Sequence, residues 1–210
     1  MASDRHLEKI DFMIHANVTA VIPTIPTDHR RATLKRALDS IRDQDHAVAP
    51  NIIVATDTTH AGAAATRNRG LAEVTTEYVA FLDDDDQWLP HHTRILMDAA
   101  RESGADIIYP WFRVISGNAF DPFPGAFRRP FKADALRESN YIPTTVLART
   151  EAVRDVGGFE PHGDQQESAC DDWGLWLKLL DAGATFHHAP MVTWLWHWHG
   201  KHTSGLGDRW

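Results

Sequence analysis

The stretch YVAFLDDDDQWLP, residues 78–90, joins an apolar run to four consecutive aspartates. Its first five residues are uncharged and mostly large and apolar, which is typical of a strand buried in a sheet. Four adjacent carboxylates repel one another, so we expect a positive group beside them. Carboxylate oxygens suit Mg²⁺ or Mn²⁺, which leave coordination positions for substrate phosphates. A solvated acidic turn is the alternative, but a location at the end of a strand favours a binding site.

Strands and helices alternate through the first half of the chain. Short runs rich in apolar residues predict buried strands at residues 18–22, 52–55, 78–82 and 107–109. Apolar residues at helical spacing predict helices over residues 31–43 and 61–74 and from Pro90 to Gly104. His91 and His92 lie at the start of the third helix, where we expect them at the surface. This alternation predicts an α/β fold with a mostly parallel sheet flanked by helices.

The second half is less regular. Residues 113–130 show no clear period, which indicates a functional loop. Residues 144–148 predict a strand, and a stripe of tryptophan and leucine over residues 173–180 predicts a helix that ends near Gly183. Tryptophans alternate with other residues over 194–199, so a late strand would place three indoles on one face, which we interpret as core. We expect a small antiparallel part here.

Length and charge limit the possible functions. The chain has 210 residues, 21 Lys and Arg and 29 Asp and Glu, for a net charge of −8. This length fits one α/β domain, and the negative charge argues against a protein that binds nucleic acid through its phosphates. Six of the acidic residues lie in two runs, Asp83–Asp86 and Asp171–Asp172. Either run could hold a cation.

The single cysteine, Cys170, cannot form an internal disulfide, which is typical of a protein in the reducing cytoplasm. The first residues are charged, and no uncharged run is long enough to span a bilayer. We therefore expect a cytoplasmic protein without a transmembrane segment.

Five segments, in order, resemble the family 2 glycosyltransferases, which have the GT-A fold. They are Val21–Thr24, Ala65–Gly70, Phe81–Pro90, Val156–Phe159 and Asp171–Leu179, and a late segment, Trp196–Ser204, resembles the family's His-Gly end. The resemblance covers roughly residues 18 to 204. It implies an N-terminal extension at 1–16 and one domain at 17–210, with a nucleotide-binding half at 17–112 and an acceptor and catalytic half at 131–204.

The resemblance implies an inverting transfer of sugar from a nucleoside-diphosphate sugar, with UDP, dTDP or GDP as the nucleotide, to an acceptor hydroxyl. It assigns nucleotide contacts to Pro23, Thr24, Asp57, Arg67 and either Asp83 or Asp84. It assigns a Mn²⁺ or Mg²⁺ ion to Asp85 and His199, and the general base to Asp172, while Asp171 caps the helix. The acceptor would be a glycan, a protein or a lipid carrier, and DNA is the acceptor that the charge disfavours.

The chain departs from the family pattern in two places. The second strand is followed by Thr56-Asp57-Thr58-Thr59, of which only Asp57 matches, and the acidic pair is Asp171-Asp172 where Glu-Asp is common. Two other functions remain open. One is metal-dependent nucleotidyl transfer or phosphodiester hydrolysis, although no Walker-type phosphate loop is present. The other is a domain that binds a nucleotide sugar or a glycan without catalysis.

Overall fold

The computed structural model describes residues 17–45, 48–116, 128–160 and 171–198. The strands are β1 (Val18–Thr24), β2 (Asn51–Thr56), β3 (Tyr78–Phe81), β4 (Gln87–Trp88), β5 (Ile107–Ser116), β6 (Leu147–Arg149) and β7 (Phe186–Trp198). The helices are α1 (Asp28–Arg42), α2 (Gly62–Glu73), α3 (His92–Ser103), α4 (Ala133–Glu138), α5 (Thr150–Asp155) and α6 (Asp171–Asp181). Among these helices, none is both long and apolar enough to cross a membrane.

The strands form one sheet in the order β2-β1-β3-β6-β5-β7-β4. The long ladders are parallel and join β1 to β2, β1 to β3 and β5 to β7. The antiparallel ladders are short: β6 pairs with β3 and β5, and β4 pairs with β7. The predicted α/β fold, a mostly parallel sheet with a small antiparallel part, is therefore confirmed.

Side chains alternate across β1 and β3 and so produce two cores, one on each face of the sheet. On one face Val18, Ala20 and Ile22 pack with residues of α1 and α3. On the other face Val21 and Phe81 pack with residues of α2, α4, α5 and α6. This division brings α2 and α6 to the same face, although about 100 residues separate them in sequence.

Two sequence expectations about strand length were wrong. β5 continues to Ser116, past the start of the loop predicted at Arg113, because its backbone stays paired with β7 up to Ser116 and Trp198. β6 covers only Leu147–Arg149, less than the predicted 144–148, because only these residues pair with β3. The short elements β4, α4 and α5 were not predicted, since each is too short to show a period.

His92 is also a correction, because it is buried and not at the surface. Its Nδ1 lies 2.8 Å from the Thr193 hydroxyl, and its ring stacks on Trp88 with 4.2 Å between centroids. Trp194 is buried as expected, whereas Trp196 and Trp198 are half-buried. Position 92 lies on the inner side of α3, where β7 covers it, and that packing is not visible in the local sequence.

Candidate active site

The four aspartates follow the carboxyl end of β3, beside the carboxyl end of β1. Thr24, the last residue of β1, donates a hydrogen bond from its hydroxyl to Asp84 Oδ2 over 2.6 Å. Arg30 Nη1 reaches from α1 to Asp84 Oδ1 at 2.6 Å and to Asp85 Oδ2 at 3.0 Å. Arg36, further along α1, donates to the backbone carbonyl of Asp85. These contacts supply the positive charge that the sequence predicted beside the acidic run.

The four carboxylates alternate between buried and accessible positions. Asp84 is 2% and Asp86 is 3% exposed, whereas the side chains of Asp83 and Asp85 are 37% and 15% exposed. Burial raises the pKa of Asp84 to about 6, against the opposing effect of the Thr24 hydrogen bond. Burial also raises the pKa of Asp86, whose Oδ1 accepts the backbone N–H of His197 over 2.9 Å. Asp83 and Asp85 are therefore the more exposed pair, although Arg67 and Arg30 each bond one of their oxygens.

Arg67 of α2 joins the two acidic runs. Its Nη2 donates to Asp83 Oδ1 over 2.6 Å, and its Nη1 donates to Asp171 Oδ2. The guanidinium is buried and lies 5.4 Å from the centre of the Phe159 ring. Burial alone would lower the pKa of Arg67, but Asp171 and Asp83 raise it above its ordinary value. A charged arginine therefore links the turn after β3 to the first residue of α6.

Asp172 is a buried carboxylate held by three donors. Its Oδ1 accepts Asn140 Nδ2 at 3.1 Å and the Trp173 backbone N–H at 2.7 Å, and its Oδ2 accepts the Thr144 hydroxyl at 3.1 Å. Burial, followed by the charge of Asp171, raises the pKa of Asp172 to about 7, while Arg67 opposes the rise. A carboxylate with a pKa near neutrality suits proton transfer. Asp171 accepts the backbone N–H of Asp172 over 3.1 Å, so it serves the first turn of α6 as well as Arg67.

Asp57 shapes the turn between β2 and α2. Its Oδ1 accepts the backbone N–H groups of Thr59 and Ala61 at 3.1 Å, and its Oδ2 accepts that of Gly62 at 2.9 Å. A carboxylate at the start of a helix stabilises the exposed N–H groups there. Asp57 therefore fixes the entry of α2, the helix that carries Arg67.

The Gly-Gly-Phe turn docks on α2 through Asn68. Asn68 Nδ2 donates to the Phe159 carbonyl over 2.7 Å, and its Oδ1 accepts the Phe159 N–H over 2.9 Å. Gly158 has a φ of +68°, and a Cβ there would overlap Asn68 Oδ1. The turn therefore requires glycine both for its conformation and for its close approach to Asn68. Its docking also brings Phe159 against Arg67.

The carboxylates of Asp83 and Asp85 have the chemistry of Mg²⁺ or Mn²⁺ ligands. Within the ranges that the structure describes, no group of three or more His, Cys, Asp or Glu side chains is arranged to hold a metal ion. Mg²⁺ is commonly bound by one or two carboxylates together with substrate phosphates and water. Two accessible carboxylates therefore fit such an ion, provided that a substrate supplies further oxygens.

The structure brings most of the predicted site residues to one edge of the sheet. Pro23 and Thr24 end β1, the acidic turn follows β3, and Arg67 connects this turn to Asp171, next to Asp172. His199, the N-terminal extension at 1–16 and residues 117–127 of the loop predicted at 113–130 lie outside the described residues. Sequence reasoning missed four side chains that contact the aspartates of the site, namely Arg30, Arg36, Asn140 and Thr144. No local pattern distinguishes them from ordinary helix and loop residues.

Comparison with known proteins agrees with the fold and identifies the family. The family model described as "Glycosyl transferase family 2" matches residues 46–157. The pre-mycofactocin glycosyltransferases of two Mycobacterium tuberculosis strains, CDC 1551 / Oshkosh and ATCC 25618 / H37Rv, are each 30% identical over 142 residues, which is 62% of this chain and 29% of the relative. The chain therefore spans less than a third of the length of these curated relatives.

Solved structures of Staphylococcus aureus TarS share the fold. Residues 1–349 of TarS in complex with UDP-GlcNAc match with a TM-score of 0.69 and 14% identity, over 91% of this chain and 61% of that one. The same fragment in complex with UDP matches with a TM-score of 0.64 and 17% identity, over 88% and 61% of the two chains. The sheet is thus of the kind seen in GT-A glycosyltransferases. With a family model that matches more than half of its length, the chain belongs to glycosyl transferase family 2.

Proposed function

We propose that this chain transfers a sugar, with inversion, from a nucleoside-diphosphate sugar to an acceptor hydroxyl, with Asp172 as the general base. The observation that carries the proposal is the buried, hydrogen-bonded Asp172 carboxylate next to Asp171, which Arg67 ties to the Asp83–Asp86 turn. Such a transfer needs a base for the acceptor and neutralisation of the charge on the leaving diphosphate. The acidic turn would supply the second by holding a divalent ion.

The donor nucleotide would bind at the carboxyl ends of β1, β2 and β3. Pro23 and Thr24 would border the nucleotide. Asp57 would contribute to the nucleotide site by fixing the turn between β2 and α2. For the ribose contact we favour Asp83 over Asp84, since Asp83 is accessible whereas both oxygens of Asp84 accept hydrogen bonds from Thr24 and Arg30. Arg67 would act by positioning Asp83, to which it donates.

Asp85 and His199 would hold a Mn²⁺ or Mg²⁺ ion at the diphosphate. When bound, such an ion neutralises the negative charge that develops on the leaving diphosphate. Arg30 lies beside Asp85 and carries a positive charge at the same end of the sheet. Its guanidinium partly balances the negative charge of the acidic turn.

In the reaction itself, the acceptor oxygen forms a bond to the anomeric carbon while the bond from that carbon to the diphosphate oxygen breaks. The electron pair of the broken bond leaves with the diphosphate, and the hydroxyl proton passes to Asp172. Attack from the side opposite the leaving group inverts the anomeric configuration. With a pKa of about 7, part of the Asp172 population is an ionised carboxylate near neutral pH, and this carboxylate is basic enough to accept a proton.

UDP-GlcNAc is the first donor to try, because TarS, which shares the fold, was crystallised with it. A glycan, a protein or a lipid carrier remains the expected class of acceptor, and the net charge of −8 disfavours DNA. Release of the nucleoside diphosphate distinguishes sugar transfer from nucleotidyl transfer, which would release pyrophosphate.

Turnover of the Asp172→Asn and Asp171→Asn variants tests the proposal. A general base contributes typically about 10² to 10⁴ in rate and little to donor binding, so Asp172→Asn should lower kcat by that factor at an unchanged donor affinity. Asp171→Asn should keep most activity, because Asn still accepts a hydrogen bond from the first turn of the helix. It should lose some stability, because its ion pair with Arg67 is lost. Exchanged behaviour would make Asp171 the base, and unchanged turnover in both variants would contradict a base on α6.

A further inference from the structure

The segment between α4 and β6 supplies two of the three donors that hold Asp172. Asn140 Nδ2 and the Thr144 hydroxyl each lie 3.1 Å from a different oxygen of the carboxylate. The third donor, the Trp173 N–H, belongs to α6 itself. Both carboxylate oxygens are therefore fixed in direction by side chains from another part of the chain.

Asn140 is itself held in one orientation. Its Oδ1 accepts the backbone N–H of Ile142 over 3.2 Å, so the amide nitrogen on the other side faces Asp172. A flip of the amide would lose both hydrogen bonds. Asn140 therefore acts as a fixed donor to Asp172.

Two indoles of α6 anchor this segment and the helix α4 before it. Trp176 Nε1 donates to the Ile142 carbonyl over 2.9 Å, and Trp173 Nε1 donates to the Leu136 carbonyl over 2.7 Å. Trp176 and Ile142 are fully buried. The helix that carries Asp172 thus also fixes the backbone that carries its two partners, and preorganised groups of this kind favour proton transfer.

We propose that Asn140 and Thr144 are positioning residues that hold the Asp172 carboxylate in the orientation in which it takes the proton of the acceptor. This inference rests on the proposed function, because it needs Asp172 to be the base. The residues act through Asp172 and need not touch the acceptor.

The charged groups with the largest effect on Asp172 are Asp171 on its own helix and Arg67 on α2, and they oppose each other. Asn140 and Thr144 are neutral and act by hydrogen bonding to the ionised form. Loss of such a donor disfavours the ionised form of Asp172 and allows its side chain to rotate. Substitution should therefore change both the rate and its pH dependence.

The experiment compares Thr144→Val, Thr144→Ser and Asn140→Leu with the wild-type chain in steady-state transfer at several pH values. Thr144→Val keeps the shape of the side chain and removes its hydroxyl, whereas Thr144→Ser keeps the hydroxyl. We expect kcat to fall roughly 10- to 100-fold in Thr144→Val and Asn140→Leu, with the donor KM changed less than about twofold. The acidic limb of the kcat profile should move up by about one pH unit in Thr144→Val, and Thr144→Ser should restore both values.

Thr93→Val is the matched control. Thr93 is also a buried threonine, and its hydroxyl has no hydrogen-bond partner in the part of the chain that the structure describes. It lies on α3, and its backbone N–H donates to Gln44 rather than to an aspartate of the site, so this variant should leave kcat and the pH profile unchanged. Its behaviour measures what the loss of a buried hydroxyl does by itself.

A further variant separates failure of this inference from failure of the proposed function. In the Asp172→Asn background, adding Thr144→Val should change kcat less than about twofold, because residues that act as a unit are not additive. If Asp172→Asn abolishes transfer while Thr144→Val and Asn140→Leu keep the wild-type rate and pH profile, the positioning role is overturned and the base stands. If Asp172→Asn transfers sugar at the wild-type rate, the base assignment fails and the positioning role fails with it.

Discussion

Arg67 donates a hydrogen bond from its Nη1 to Asp171 Oδ2, although 104 residues separate the two in sequence. The same guanidinium donates to Asp83, so one buried arginine balances a carboxylate from each acidic run. Without this cation the two runs would repel each other across the site. Arg67 therefore links α2 to α6. Its charge also allows two acidic runs to lie close together at one edge of the sheet.

Replacement of Arg67 by methionine should destabilise the fold. Removing one partner of a buried ion pair leaves the other charges unbalanced, and we expect a loss of about 3 kcal/mol, at the low end of the usual range because Asp83 is partly exposed. Urea unfolding at neutral pH measures the change. Arg69→Met is the control on the same helix, since the Arg69 side chain is 43% exposed and its 3.6 Å contact with Asp57 is longer than a hydrogen bond. Equal losses in the two variants would contradict the bridging role of Arg67.

The Gly-Gly-Phe turn offers a matched pair of substitutions. Gly157 and Gly158 both have positive φ, +81° and +68°, but only at Gly158 would a Cβ meet another group, the amide of Asn68. We expect Gly157→Ala to cost about 1 kcal/mol from backbone strain. Gly158→Ala should cost about 1–3 kcal/mol more, because the added methyl group displaces Asn68. Thermal unfolding of both variants checks the difference, and similar melting temperatures would show that Asn68 does not confine the turn.

The stability of the fold should depend on the ionisation of Asp172. Burial raises its pKa to about 7 in the native state, so the folded chain binds a proton that the unfolded chain releases near pH 4. The stabilising contribution is present below pH 4 and is lost as the pH rises from about 4 to 7. Asp172→Asn mimics the protonated form, so it should raise the melting temperature at pH 8 more than at pH 5. Asp134→Asn, at an exposed position on α4, is the control, and the same pH trend there would refute the assignment.

His92 should produce the opposite dependence on pH. Burial lowers its pKa to about 3, so the imidazole stays neutral in the native state while the unfolded chain takes up a proton below about pH 6.5. Stability should therefore fall as the pH falls from about 6.5 towards 3. His92→Phe keeps the stacking on Trp88 and removes this titration, so its free energy of unfolding should fall less between pH 7 and pH 5. Calorimetry at the two pH values, with the exposed His187→Gln as control, provides the measurement.

Binding of a nucleoside diphosphate should require a divalent ion and Asp85. We expect Asp85→Asn to lose the Mn²⁺-dependent part of its affinity for UDP, and His199→Ala to show a loss that higher Mn²⁺ partly restores. Isothermal titration with Mn²⁺ or with EDTA measures both. Asp98→Asn, on the exposed side of α3, should bind as the wild type does. The metal role of Asp85 would be excluded by an affinity that is the same in all combinations of variant and metal.

Local sequence patterns predicted the alternation of strands and helices because burial imposes a period of two on strands and about 3.6 on helices. Val21 and Ile22 point to opposite faces of the sheet, as that period requires, and the three helices predicted after them cover both faces. The acidic runs could also be placed at strand and helix ends, since they directly follow or begin regular segments. These features depend on residues that are close in sequence.

Other features depend on contacts between distant residues, which no local period records. The burial of His92 results from β7 packing over α3, and the length of β5 results from its ladder with β7. The roles of Arg30, Asn140 and Thr144 appear only when α1 and the segment before β6 meet the aspartates. The sequence by itself thus determined the order of the longer strands and helices and the residue types of the site. Only the tertiary structure decided which charge faces which carboxylate, because that choice is made by packing across the two faces of the sheet.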